Sequence, residues 1–343
     1  MLTERLSVYD VNKDSEALLR AAEIIKNGGL VAMPTETVYG LAANTFNEKA
    51  IGDIFKAKGR PQDNPLIVHV SDIGMAKELV SEFPEKAEEL AEKFWPGPFT
   101  MILPKADCIP SSVSAGLETV AIRMPSNEVA RQLIAVSGLP LAAPSANISG
   151  SPSPTTAEDV LFDMDGKIDA VIMSGRCDVG VESTVVTLAT DPPRLLRPGG
   201  VTLEQLRDVL PDIVVDKAVL SQPGKGCVVA SPGMKYKHYS PKARVVMLEG
   251  DFESFKTFVE ANKDEGVFAL VFDGEEAELS VPCVSFGHKE DEFEQAAVLF
   301  KALRELDKLG CKVCYSRVPS KCGVGLAVYN RLIRAAAFEV IEL

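Results

Sequence analysis

The sequence predicts an α/β protein, with a mixed sheet and covering helices over residues 1–210 and a smaller doubly wound domain over residues 244–343. Three observations predict this. Short apolar runs of strand type alternate with longer segments of helical period, as mixed α/β architectures require. Gly, Pro and Asn punctuate the joins. The alternation stops over residues 211–243 and then resumes, and 343 residues suit two domains at roughly 150 residues each.

The elements follow in order. Asp14 or Ser15 can cap a helix whose apolar positions are Leu18, Leu19, Ala22 and Ile25, with a left-handed C-cap expected at Gly28-Gly29. LVAM at 30–33 reads as a buried strand halted by Pro34, and Asn47 caps a helix running to Lys58. Further strands fit LIVHV (66–70), FTMIL (99–103), TVAIR (119–123), LPLAA (139–143), DAVIM (169–173) and TVVTL (184–188). Helices fit 83–94, 127–137, 155–163 and 202–210. Trp95-Pro-Gly-Pro98 turns the chain after a helix and fills core. Residues 211–243 form a connector with Pro211, Pro223, Gly224, Gly226, Pro232, Gly233 and Pro241, too long for an idle loop and so either a linker or a lid. The rhythm returns with RVVML (244–248), a helix at 251–262, VFALVF (267–272), a helix at 290–308, CKVCY (311–315) and a helix at 325–337. There is no internal repeat.

Composition narrows the function. Hydrophobic residues at 46% and charged residues at 25% exclude disorder as the main state. No run approaches the roughly 18–20 apolar residues of a membrane helix, so no membrane association is expected. The opening MLTERLSVYDVNKD carries no apolar leader, and seven scattered cysteines suit reduced thiols; both point to the cytoplasm. The net charge of −13 opposes a protein that coats nucleic acid. By region the charge is −10 over 1–210, +3 over 211–250 and −6 over 251–343. A basic connector between acidic bodies suggests an anionic partner such as phosphate.

Polar residues cluster where strands are predicted to end: Pro34–Gly40 (PTETVYG), Lys56–His69 (KAKGRPQDNPLIVH), Thr119–Pro125 (TVAIRMP), Ala142–Asn147 (AAPSAN) with Ser149, Ser151 and Ser153, Gly180–Thr184 (GVEST), and Arg194–Gly199 (RLLRPG). Loops beyond strand ends gather into one crevice in open α/β sheets. Lys58, Arg60, Arg123 and Arg197 would converge there with small hydroxyls, a set suited to phosphate and carboxylate. Singly, each has an ordinary structural explanation: a basic last helical turn for Lys56–Arg60, a packed histidine for His69, turn formers for Ser145 and Asn147. Six such clusters together do not reduce to turns.

Other patterns exclude chemistry. There is no G-x-x-x-x-G-K-[ST] and no G-x-G-x-x-G after the first strand of the second domain. Cys311-x-x-Cys314 has half-zinc spacing, but an offset of three within a strand places the two side chains on opposite faces, and no second pair completes the set. No protein-bound metal, zinc included, is expected. With His69, His238 and His288 alone, no Ser/His or Cys/His pairing is suggested.

In this order PTETVYG, KGRPQDNPLIVHV, TVAIRMP, APSAN, GVEST and RPG closely resemble the Sua5/YrdC/YciO family, with its K-x-R and S-x-N pairs standing at Lys58/Arg60 and Ser145/Asn147. SPGMKYKHYSP and the small α/β domain after it resemble the longer, Sua5-type members, so the likeness covers essentially the whole chain. The resemblance implies a YrdC-like twisted mixed sheet with helices enclosing a crevice, plus a smaller Rossmann-like C-terminal Sua5 domain. It implies a nucleotidyltransferase making threonylcarbamoyl-AMP and pyrophosphate from L-threonine, bicarbonate or CO2, and ATP with Mg²⁺. The product would pass to the tRNA threonylcarbamoyl transferase machinery for adenosine 37 of ANN-decoding tRNAs. By the same resemblance Lys58 and Arg60 are catalytic. Thr37, His69, Arg123, Ala143 and Ser183 contact threonine. Arg60, Asn64, Thr119, Ser145, Asn147, Ser153, Arg197 and Tyr236 contact ATP. A YrdC-like domain also raises weak RNA binding, or a carbamoyltransferase of the hydrogenase-maturation type. The acidic first domain opposes RNA binding as the main role, and the paired C-x-x-C motifs of the carbamoyltransferase class are not seen.

Overall fold

The computed structural model describes residues 2–221 and 239–343. Tyr236 and most of the expected connector lie outside the described residues. The described chain forms two compact units, one of residues 2–149 and 153–219 and one of residues 150–152, 220–221 and 239–343.

The first unit contains β1 (Glu4–Ser7), α1 (Ser15–Lys26), β2 (Val31–Met33), β3 (Gly40–Asn44), α2 (Glu48–Lys58), β4 (Ile67–His69), α3 (Ile73–Glu78), α4 (Glu85–Phe94), β5 (Phe99–Pro104), α5 (Ser111–Ser114), β6 (Thr119–Arg123), α6 (Glu128–Ser137), β7 (Leu141–Ala142), α7 (Ala157–Met164), β8 (Ala170–Met173), β9 (Thr184–Thr187), β10 (Arg194–Arg197), α8 (Leu203–Arg207) and β11 (Val214–Val215). The strands form one mixed sheet in the order β1-β8-β2-β3-β7-β4-β6-β5-β9-β10-β11. Ala21, Ala22 and Ile25 of α1 and Ala130, Leu133 and Ile134 of α6 pack in one core cluster. Ile51, Ile54 and Phe55 of α2 and Leu90 of α4 pack in another.

The caps explain most helix ends. Asn47 starts α2, its Oδ1 accepting from Ala50 N at 3.1 Å, and Gly59 ends it in the left-handed region. Asp14 stands at the N-cap of α1, but its carboxylate accepts from Tyr9 N and Asp10 N and so ties the preceding turn instead. Gly28 has φ +84°, the left-handed residue expected just past α1. Trp95 is buried and donates Nε1 to Phe99 O at 2.7 Å.

Several strands escaped the sequence reading. β1, β3, β10 and β11 are ERLS, GLAAN, RLLR and VV, too short or too mixed to show a period of two. The helix expected at 202–210 is only Leu203–Arg207, and the sheet continues past it to β11.

The second unit holds β12 (Arg244–Glu249), α9 (Phe252–Ala261), β13 (Val267–Val271), β14 (Cys283–Ser285), α10 (Glu292–Lys308), β15 (Val313–Ser316), α11 (Gly325–Ala335) and β16 (Val340–Glu342). Its strands lie in the order β14-β13-β15-β12-β16, every pair parallel. One expectation is corrected here. Cys311 precedes β15, so strand alternation does not apply to it. Among the described residues no helix is long and apolar enough to cross a membrane.

Candidate active site

Register builds the centre of the site. His69 on β4 pairs with Arg123 on β6, and Arg123 pairs with Thr100 on β5. Thr100 pairs with Val185 on β9, and Val185 pairs with Arg197 on β10. Residues paired across neighbouring strands present side chains to the same face. One cross-strand row therefore carries an imidazole, two guanidinium groups and a hydroxyl, all buried.

Hydrogen bonds fix this row. Ser183, one residue before β9, shares a hydrogen bond with Thr100 between their hydroxyls at 2.7 Å. Arg197 donates Nε to Ser183 O at 2.9 Å and an Nη2 proton to Ser183 Oγ at 3.1 Å. Arg123 donates Nη1 to Thr37 Oγ1 at 2.8 Å and pairs with Glu36 Oε1 at 2.8 Å, with both side chains almost wholly inaccessible. The Arg123 guanidinium, with hydrogen bonds from it and from Ser126 N, outweighs burial and holds Glu36 below the usual carboxylate range. Burial first, and then the Arg123 charge, push His69 down to about 3, so it is neutral.

Thr37 follows β2, and β6 stands four places from β2 in the sheet. At about 4.8 Å per strand that separation is roughly 19 Å, far beyond side-chain reach. The Pro34–Tyr39 segment therefore crosses the sheet face to reach Arg123. His69, Arg123 and Arg197 are the last residues of β4, β6 and β10 and Ser183 directly precedes β9, whereas Thr37 reaches Arg123 through the crossing segment. In a mixed sheet strand ends fall on both edges, and a crossing segment with a register row brings the groups together.

That segment also ties in the second cluster. Ala146 N donates to Tyr39 O, Leu41 N to Pro144 O, and Tyr39 N to Pro154 O. Gly40 bridges Ser145, and a Cβ at Gly40 would come within 3.3 Å of Ala143 Cβ, so the turn after β7 lies close against the segment. Ala143 N donates to Ile67 O at 2.9 Å. Lys58, at the end of α2, donates Nζ to Ser145 O at 2.5 Å and to Asn147 O at 2.8 Å, with Asn147 Oδ1 at 3.5 Å. Burial, then the Arg60 charge, push Lys58 down to about 7. Ser153 donates to Glu182 Oε1 at 2.5 Å.

Arg60 is 9% exposed, with its guanidinium over the Phe55 ring. Asn64 is fully buried, yet neither its amide oxygen nor its nitrogen has a hydrogen-bond partner. His69 Nδ1 is likewise buried without one. Buried polar atoms are almost always satisfied, so these are atoms that a bound ligand could satisfy. Thr119 opens β6 opposite Pro104. Tyr236 lies outside the described residues. The structure thus bonds Thr37 to Arg123 and Ser183 to Arg197 and sets His69, Arg123 and Arg197 along one register row. Sequence reasoning missed Glu36, Thr100 and Glu182 as supports. Glu36 could have been found as the carboxylate beside Thr37, but Thr100 sits in an ordinary apolar strand and carries no local signal.

The fold and this arrangement define an α/β protein with buried cations, a neutral imidazole and one unsatisfied amide, a set suited to a small, anionic, hydrogen-bonding ligand. The family model for Sua5, YciO and YrdC proteins, described as "Telomere recombination", matches residues 23–199, and a model described as "Threonylcarbamoyl-AMP synthase, C-terminal domain" matches residues 201–337. The chain belongs to the Sua5/YciO/YrdC family. It is 45% identical over 333 residues to a threonylcarbamoyl-AMP synthase of Pyrococcus abyssi, covering 94% of this chain and 95% of that one. It is 45% identical over 345 residues to one from Bacillus subtilis, covering 99% and 97%. The crystal structure of P. abyssi Sua5 complexed with L-threonine superposes with a TM-score of 0.90 at 41% identity over the full length of both chains. E. coli YciO shares the fold over 58% of this chain and 96% of its own, with a TM-score of 0.53 at 22% identity.

Proposed function

We infer that the protein is a threonylcarbamoyl-AMP synthase, a nucleotidyltransferase that joins L-threonine, bicarbonate or CO2, and ATP into threonylcarbamoyl-AMP and pyrophosphate. The observation that carries this is the buried row of His69, Arg123, Thr100 and Arg197 with Ser183, in a chain nearly half identical to proteins of that name over almost its whole length.

Arg123 takes the threonine carboxylate, with Thr37, His69, Ala143 and Ser183 around it. Arg60, Asn64, Thr119, Ser145, Asn147, Ser153 and Arg197 take the nucleotide. A neutral His69 can accept a hydrogen bond from the substrate and adds no competing positive charge beside Arg123. The unprotonated threonine amine attacks CO2 and loses a proton to solvent to give the carbamate, whose oxygen attacks the α-phosphorus of ATP as the bond to pyrophosphate breaks. Adenylation of this kind needs alignment and positive charge more than a covalent partner. Mg²⁺ arriving with ATP supplies further charge neutralisation on the phosphates. Glu36 is engaged with Arg123, and Glu182 with Ser153, so the residues present suit a metal carried on the nucleotide better than one held by the protein.

Residues 1–210 would carry the chemistry, residues 211–243 would form a lid bringing Tyr236 to the phosphates, and residues 244–343 would anchor that lid. The product would pass to a tRNA-modifying transferase in the cytoplasm, and any RNA affinity would be weak. The test is pyrophosphate release from ATP with threonine and bicarbonate omitted in turn. Release that needs both supports the reading. Release that is indifferent to threonine sinks it.

A further inference from the structure

Lys58 is the residue whose surroundings fit its expected task least. A phosphate ligand keeps N–H groups turned toward the ligand. Lys58 is 3% exposed, and its Nζ is surrounded by protein oxygens: Ser145 O at 2.5 Å, Asn147 O at 2.8 Å and Asn147 Oδ1 at 3.5 Å. An ammonium has three protons, and these three oxygens match them. The main chain adds a fourth tie, because Ser149 N donates to Lys58 O at 2.9 Å. The end of α2 is thus stapled to the turn after β7 by both side chain and backbone.

This turn serves both halves of the site. Ala143 starts it, on the threonine side, and Ser145 and Asn147 follow, on the nucleotide side. Its outer flank is fixed by the Tyr39–Leu41 contacts, whereas the carbonyls of Ser145 and Asn147 converge on Lys58. Two carbonyl oxygens pointing at one buried spot would repel each other without a cation between them.

We propose that Lys58 is a positioning residue that acts through the Ala143–Asn147 turn, aligning the threonine and nucleotide halves of the site, and that Arg60 alone of the K-x-R pair meets phosphate. This rests on the threonylcarbamoyl-AMP synthase reading. Its consequence is that loss of Lys58 harms both ligands, whereas loss of a phosphate contact harms one.

The experiment measures binding of L-threonine and of a non-hydrolysable ATP analogue separately, together with amide hydrogen exchange, in Lys58→Met and Arg60→Ala. In Lys58→Met both dissociation constants should rise roughly tenfold or more, the scale of losing a charged hydrogen bond. Exchange over residues 143–149 should quicken with them. In Arg60→Ala only the nucleotide constant should rise, with exchange there unchanged. Nucleotide-only loss in Lys58→Met with unaltered exchange overturns the proposal. Lys58→Met can fail to fold, so the unaltered protein is also acetylated without ligands. Lys58 should resist the reagent while the exposed Lys56 is labelled. Labelling of Lys58 as fast as Lys56, with protection by the ATP analogue, overturns the proposal on its own. If the unaltered protein binds neither threonine nor nucleotide, the functional reading fails, and the acetylation and exchange results still decide whether Lys58 holds the turn.

Discussion

Arg123 and Glu36 show how a buried charge pair shapes a recognition site. Each side chain is almost fully inaccessible, so neither charge is tolerable alone. Arg123→Ala should therefore cost about 3–5 kcal/mol of stability, as breaking a buried pair does, besides weakening threonine binding far more than ATP binding. Adding Glu36→Gln should recover part of that stability and none of the affinity, which denaturant titration and calorimetric binding can separate. Equal losses for the two ligands would move Arg123 to the nucleotide side. Arg60→Ala should slow pyrophosphate release roughly 100-fold, as loss of one preorganised electrostatic donor does. Near-normal release in that variant would remove Arg60 from the phosphate site.

At the scale of elements, the 182–184 segment that leads into β9 depends on Gly199 after β10. A Cβ at Gly199 would lie 2.3 Å from Thr184 N and 2.7 Å from Glu182 O, both main-chain atoms that cannot swing away. Gly199→Ala should force β9 and β10 apart at the point where Arg197 grips Ser183. The expected result is a loss of stability on the overpacking scale of roughly 1–3 kcal/mol, with weakened threonine binding. An alanine variant with unchanged melting and unchanged threonine affinity would show that the segment adjusts freely. The connector is an element-scale question too. A chain ending at Val219 keeps β11 and its pairing with β10, so it should fold. If the connector closes the site, that shortened chain should make threonylcarbamoyl-AMP poorly and spend more ATP per product. Full coupled activity in that shortened chain would reduce the connector to a tether.

For the whole molecule, burial of the site ties stability to pH. His69 has a folded pKa of about 3, against an ordinary value near 6.5. Its neutral form is the folded form, so its contribution is intact above pH 6.5 and is lost as pH falls from 6.5 toward 3. The slope reaches about 1.4 kcal/mol per pH unit. Glu36, held below its usual value, adds a loss of the same sign below about pH 4.5. Melting followed from pH 7 to pH 4 should show this decline, and His69→Gln should flatten its upper part. Imidazole NMR signals of His69 that titrate between pH 5 and 7 in the folded protein would contradict it. The charge of −13 bears on the other molecule-wide property, affinity for RNA. Any RNA retention at 50 mM salt should vanish by 200 mM, since only local basic groups can support it.

The sequence alone determined the alternation of strands and helices and the list of polar segments, because turn chemistry and apolar periodicity are local. It also determined the family, because six ordered motifs carry that information in residue identity. It could not show β1, β3, β10 or β11, whose two to five residues hold too little pattern. It placed Cys311 and Cys314 on opposite faces only because it assumed the strand began early. Above all, it could not show that His69, Arg123, Thr100 and Arg197 share one row, or that Lys58 meets the carbonyls of Ser145 and Asn147. Those facts depend on strand order, register and a segment crossing the sheet face. Such features arise from pairing between residues up to a hundred positions apart, and only the tertiary structure decides them.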